Sequence, residues 1–145
     1  MDALLAILRA RPALEDVAIV DGPTAVNLTQ RQRIHIGWSP GAEQAVEIQQ
    51  QFNSAGARTR DEAFSITCYA ESRGGDKDMS FRRADAFDLI GEVEQAIRAS
   101  DPNPTAPTLN GSVLWAELTT GNVLQDVAEG ALVGVVFAVA CRARI

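Results

Sequence analysis

Histidine occurs once, at His35, lysine once, at Lys77, and cysteine twice, at Cys68 and Cys141. Two cysteines so far apart make neither a disulfide framework nor a four-ligand zinc site. The longest apolar run, Ala131 to Cys141, is about half of what a helix needs to cross a bilayer. No positive segment leads into a hydrophobic core at the start, where Met1-Asp2 is acidic, so no secretory signal is read there. The expectation is a protein made and kept in a reducing cytoplasm, or in something assembled there. A basic surplus is lacking as well. Asp plus Glu number 19 against 13 Lys plus Arg, for a formal net charge of -6 and a pI near 4.7. Proteins that grip duplex DNA through its phosphates usually carry the opposite balance, which argues against a DNA-binding regulator.

What is present suits one globular domain over residues 1–145. Apolar residues are 46% and charged residues 22%, enough to build a core without metals or disulfides. Almost all the cations are arginine. Its planar fork pairs well with carboxylates at protein interfaces, though Arg-rich, Ala-rich chains also come from GC-rich genomes.

Asp2 to Arg11 places Leu4, Ile7 and Leu8 at helical spacing, with Asp2 as N-cap and Pro12 as stop. Val17-Ala18-Ile19-Val20 reads as a strand closed by Asp21-Gly22-Pro23, and Asn27 to Arg31 as loop. In the next strand Ile34, Ile36 and Trp38 share one face, and Arg33 and His35 the other. Glu43 to Phe52 fits a helical stripe or a half-exposed strand. The turn cluster Asn53-Ser54-Ala55-Gly56 and the strand from Arg60 to Ser72 favour a long hairpin. Its outer part is polar and should extend past the core. Asp76 or Asp78 caps a long helix from about Ser80 to Ala99, with a stripe of Ala86, Ile90, Val93 and Ile97 widened by Leu89 and Phe87. Glu94 and Arg98 form an i,i+4 pair. A proline-rich loop follows. Then come a strand from Val113 to Leu118, a turn at Gly121-Asn122, a strand or irregular edge from Val123 to Val127, and a central strand from Ala131 to Ala143. The order implies an α+β fold in two layers: a mostly antiparallel mixed sheet, a short N-terminal helix, one long helix and a protruding hairpin.

Chemical motifs are scarce. His35 lies on the polar face of its strand, away from any acidic cluster in sequence, and reads as a surface or packing residue. No Gly-x-Ser-x-Gly elbow presents a nucleophile, and no glycine spacing makes a phosphate loop. Asp76 and Asp78 lack the further ligands of a calcium loop. Cys68 and Cys141 fit buried thiols, and Trp38 and Trp115 fit the core. No cofactor, catalytic or metal-binding residue is assigned.

Several segments resemble one family. Val17-Ala18-Ile19-Val20-Asp21-Gly22-Pro23 and Arg33-Ile34-His35-Ile36-Gly37-Trp38 are similar to the start of tail terminator proteins from long-tailed phages of actinobacteria. Gly56-Ala57-Arg58-Thr59-Arg60-Asp61-Glu62-Ala63-Phe64-Ser65-Ile66 looks like that family's Gly-Ala-Arg-x-Arg-Asp-Glu-x-Phe-x-Ile. Further matches are Ala84 to Ala99, Asp101-Pro102, Val113-Leu114-Trp115-Ala116-Glu117 and Val139-Ala140-Cys141-Arg142-Ala143-Arg144-Ile145. The series keeps its order over nearly the whole chain. Pro102-Asn103-Pro104-Thr105-Ala106-Pro107 is longer than the link in such proteins.

The resemblance implies a non-enzymatic virion protein at the tail–neck junction, assembled in the host cytoplasm. It implies a hexameric ring that caps the tail tube, stops its growth and offers a docking surface to the head connector. Its partners would be copies of itself, the tube protein and the head-side stopper, with no membrane. DNA would pass through the pore without specific binding, and six copies at -6 would bring about -36 to repel it. The hairpin residues Gln49, Gln51, Arg58, Arg60, Asp61 and Glu62 are the candidate subunit or tube interface, with the four charged ones pairing across the boundary from the hairpin's base. Alternatives are a head-side adaptor or other tail-completion protein, a cytoplasmic enzyme using His35, and a small dimeric binding module.

Overall fold

The structure is a computed structural model and describes residues 1–24, 29–56, 58–127 and 130–145. Part of the loop expected over Asn27 to Arg31, and Ala57 of the hairpin turn, lie outside the described residues. The fold is α+β, with an open six-stranded mixed sheet under two helices.

Helix α1 (Asp2–Arg9) buries Leu4, Leu5 and Leu8, the 4-and-3 spacing of one helical face. Its N-cap is Met1, not Asp2, which sits in the first turn instead. There its negative charge still suits the helix dipole, as Arg9 does in the last turn. Pro12, unable to continue the helix, opens a 3-10 turn that buries Leu14. Strand β1 (Ala18–Asp21) runs parallel to β2 (Gln32–Ile36). Strands β3 (Val46–Phe52) and β4 (Arg60–Arg73) form the long hairpin.

Two strands share one edge of β4. Strand β2 pairs with residues 68–72 and β3 with residues 60–66. Thr67 bridges the gap: its carbonyl accepts from Gly37 N–H at 2.7 Å and its N–H donates to the Ala45 carbonyl at 3.0 Å. The other edge of β4 pairs along 13 residues with β6 (Leu132–Arg144), which in turn pairs with β5 (Trp115–Asp126). The hairpin is therefore not a free two-stranded arm. Strand β6 accompanies it to the end, where Arg60 N–H donates to the Ile145 carbonyl at 2.8 Å and the Arg60 carbonyl accepts from Ile145 N–H at 2.9 Å.

Helix α2 (Met79–Ala96) starts at Asp78, whose carboxylate accepts from Phe81 N–H at 3.0 Å. Helices and 3-10 turns lie on one sheet face. Ile34, Ile36, Ile66, Cys68, Phe137 and Val139 from that face join Leu4, Leu8, Leu89 and Val93 in the main core. The i,i+4 pair of Glu94 and Arg98 is present.

Four further expectations are corrected. Phe87 does not widen the buried stripe; it is 49% exposed on the flank of α2, one step of 100° beyond Ala86. Trp38 does not follow Ile34 and Ile36, because Gly37 adopts φ 78° and ends the alternation. Trp38 instead packs against His35 and Tyr69 on the other face. Gly121-Asn122 is not a turn but lies within β5, opposite Phe137 and Val136, and a break in register falls between Leu118 and Thr120. Trp115 is 40% exposed and not core.

This placement separates two phenylalanines. Phe137 is buried at the centre of the core, so Phe137→Ala should cost about 3–5 kcal/mol in urea denaturation. Phe87→Ala should change folding stability by no more than about 0.5 kcal/mol. Equal losses at the two sites would contradict the packing.

Candidate interaction surface

Alternation along β3, β4 and β6 sorts the hairpin end into two faces. Gln49, Gln51, Asp61, Arg142 and Arg144 lie on the face without helices, as their cross-strand pairs require. Asp61 is almost fully buried there. It accepts from Arg144 Nε at 3.0 Å and from Arg142 Nη2. These hydrogen bonds, Arg144's first, hold the Asp61 carboxyl below the usual aspartate range. Gln49, Gln51, Ala63 and Arg142 line a hollow of about 140 Å³ beside it.

Ile48, Gln50, Phe52, Arg60, Glu62 and Ile145 occupy the opposite face, beyond the reach of the helices. Gln50 donates to Glu62 at 2.7 Å. The Arg60 guanidinium sits 4.6 Å above the Phe52 ring. Ile48, Phe52 and Ile145 are 58%, 60% and 58% exposed. Asn53 donates to Thr59 Oγ1 at 2.7 Å across the turn, and Gly56 supplies the left-handed φ of 76° that this turn needs. Arg58 is exposed in the turn itself.

The six expected interface residues are thus near each other but do not form one cluster. Arg58, Arg60, Asp61 and Glu62 stand at the turn end of the hairpin, not at its base. Asp61 and Glu62 point to opposite faces, and both have partners within the chain. Arg142 and Arg144, 81 and 83 residues from Asp61, carry no local sequence signal that joins them to it. Ile48 and Phe52 are exposed apolar side chains whose only sequence signal is their place at the far end of a polar strand. Residues 48–64 and 140–145 carry four arginines against two acids. This end has a surplus of two positive charges on a chain of net charge -6.

His35 is a packing residue, buried although its strand face carries no helix. Its Nδ1 lies 2.9 Å from the Gly22 carbonyl, and its ring packs 4.8 Å from Trp38 and 6.1 Å from Tyr69. The neighbouring Glu71 accepts from the Tyr69 hydroxyl at 3.1 Å and also pairs with Arg33 and Arg73. Burial, with the Glu71 charge adding to it, raises the Tyr69 pKa. Cys68 and Cys141 are buried and free. Burial pushes their thiols up to about 12 and about 11, which leaves them unreactive at neutral pH. Among the described residues no three His, Cys, Asp or Glu side chains are grouped to hold a metal ion, and no helix is long and apolar enough to cross a membrane. Asp76 pairs with Arg82 at 3.2 Å.

No protein-family model and no curated protein matches the chain.

The arginine pair makes Asp61 an acid-sensitive lock. Because the folded pKa is depressed, its stabilisation is present above the unfolded value of about 3.9 and is lost as pH falls through the folded value. Wild type should therefore melt above Asp61→Asn at pH 7, and the difference should shrink as the pH is lowered below about 4. A constant difference from pH 7 to 3 would remove the charged role.

Proposed function

We propose that this chain is a structural protein of a phage tail. It assembles into a hexameric ring on the end of the tail tube, stops tube growth and gives the head-side connector a surface to dock on. The observation that carries this is the ordered series of segments, from Val17 through Ile145, that resembles tail terminators of actinobacteriophages.

The physical arrangement supports the role. A cyclic ring needs two unlike patches on each subunit, one meeting the other on the next copy. Here the sheet is open, with β1, β3 and β5 at its margins, and the hairpin end differs from the rest in the sign of its charge. Outside that end the chain holds nine basic and seventeen acidic residues. A ring built of such subunits presents an acidic lumen that DNA passes without adhering.

Deleting the gene from its phage should yield tubes of uncontrolled length without heads, seen by electron microscopy. Tubes of normal length that fail to join heads would assign the chain to a head-side adaptor instead. Normal virions would end the proposal.

A further inference from the structure

The hairpin end has a complementary surface on the same chain. A groove of about 360 Å³ runs between the Pro12–Leu14 turn and α2. Its floor is apolar, from Leu14, Val17 and Leu89, and Phe87 stands exposed on its wall. Asp88 lines the groove beside Gln32 and Gln95, and Glu15 and Asp16 are the next residues in the chain after Leu14, all three acids exposed. Glu92, also in the lining, is held by Arg11 at 2.6 Å. Gly91 opens the helix surface there, with nothing within 4 Å of where a Cβ would stand.

The knob that matches it is Phe52 under Arg60, with Ile48 beside it and Arg58 in the adjoining turn. Apolar surface meets apolar surface, and two arginines meet three carboxylates. We propose that the hairpin end of one copy seats in the α2 groove of the next, so that Phe52 covers Phe87 and Arg58 and Arg60 face Asp88, Glu15 and Asp16. The occupant is a second copy because this chain carries both halves of the match. The two patches are different, so the contact is head-to-tail and can close into a ring. It also explains the exposure of Phe87, which belongs to neither hydrophobic core cluster of the described residues. This contact rests on the ring assembly proposed above and identifies its seam.

Cysteine cross-linking tests it. A chain carrying Ser54→Cys in the hairpin turn and Gly91→Cys in the groove should give, on mild oxidation, a ladder of disulfide-linked species beyond the dimer. The two buried native cysteines do not contribute. Adding Arg58→Glu and Arg60→Glu should reduce the ladder at least tenfold, and Glu15→Arg with Asp88→Arg on that background should restore it. Circular dichroism should show all variants folded. No ladder, either free or on isolated tail tubes, would overturn the seam, as would a ladder unaffected by charge reversal. If the reversal spares the ladder but weakens binding to a duplex oligonucleotide, the basic end contacts nucleic acid and the seam is likewise overturned. Overlong tails on deletion combined with no ladder would sink the seam alone. A charge-dependent ladder combined with normal virions on deletion would sink the tail function alone.

Discussion

The 13-residue pairing of β4 with β6 governs the molecule. Asp61 stands opposite Arg144 at one end and Arg73 opposite Leu132 at the other. Every second residue of both strands faces the helices, and these supply Ile66, Cys68, Phe137, Val139 and Cys141 to the core. The 14 residues of β4 extend about 46 Å. The 18 residues of α2 measure about 27 Å. A helix that short cannot cover a ladder that long, even with α1 beside it. One end of the sheet must remain bare, and the polar residues of β3 fall on that end. The exposure of Ile48 and Phe52 is thus a consequence of length mismatch between sheet and helix layers.

The other end is fastened by ionic contacts, each with at least one partner out of water. Arg82 is buried on α2 and reaches Ser72 Oγ at 3.4 Å, Asp76 at 3.2 Å and Asp85 at 3.9 Å. Asp85 also receives Gln32 at 2.6 Å and the Ser72 hydroxyl. Behind the sheet, Glu71 gathers Arg33, Arg73 and the Tyr69 hydroxyl. Tyr69 lies over Gly134, where any Cβ would stand 2.2 Å from the phenol oxygen. Removing one partner from such a network strands a buried charge, which is strongly destabilising. The networks therefore fix register and helix placement at one end, and the bare end stays available for contact between molecules.

The sequence made much of this fold legible because alternation and helical spacing report burial directly. Ile34 and Ile36, Phe64 to Cys68, and Leu4 to Leu8 all fall where their spacing puts them. The failures have local causes. The left-handed Gly37 inverts the face of Trp38. Gly121-Asn122, a turn signal by composition, is kept extended by its pairing with β6. Phe87 has the right composition for a core and the wrong angle around its helix. At the candidate surface, composition revealed a polar hairpin but not its pairing. The bonds that Arg142 and Arg144 donate to Asp61 join segments more than 80 residues apart, which no local spacing encodes.

The size of the bare apolar patch decides what kind of assembly it can support. Ile48, Phe52 and Ile145 are each about three-fifths exposed, together on the order of 300 Å² of side-chain surface. At about 25 cal/mol per Å² their burial is worth about 7–8 kcal/mol. Bringing two free subunits together costs about 4–15 kcal/mol. One seam is therefore marginal by itself. A closed ring gains one extra seam without losing the freedom of another subunit, and a tube end that already holds neighbours raises their effective concentration. Copies with this patch should meet only weakly and transiently in dilute solution, where oxidation can trap the contact, and close stably once a template gathers them, which is the order of events that capping a growing tube requires.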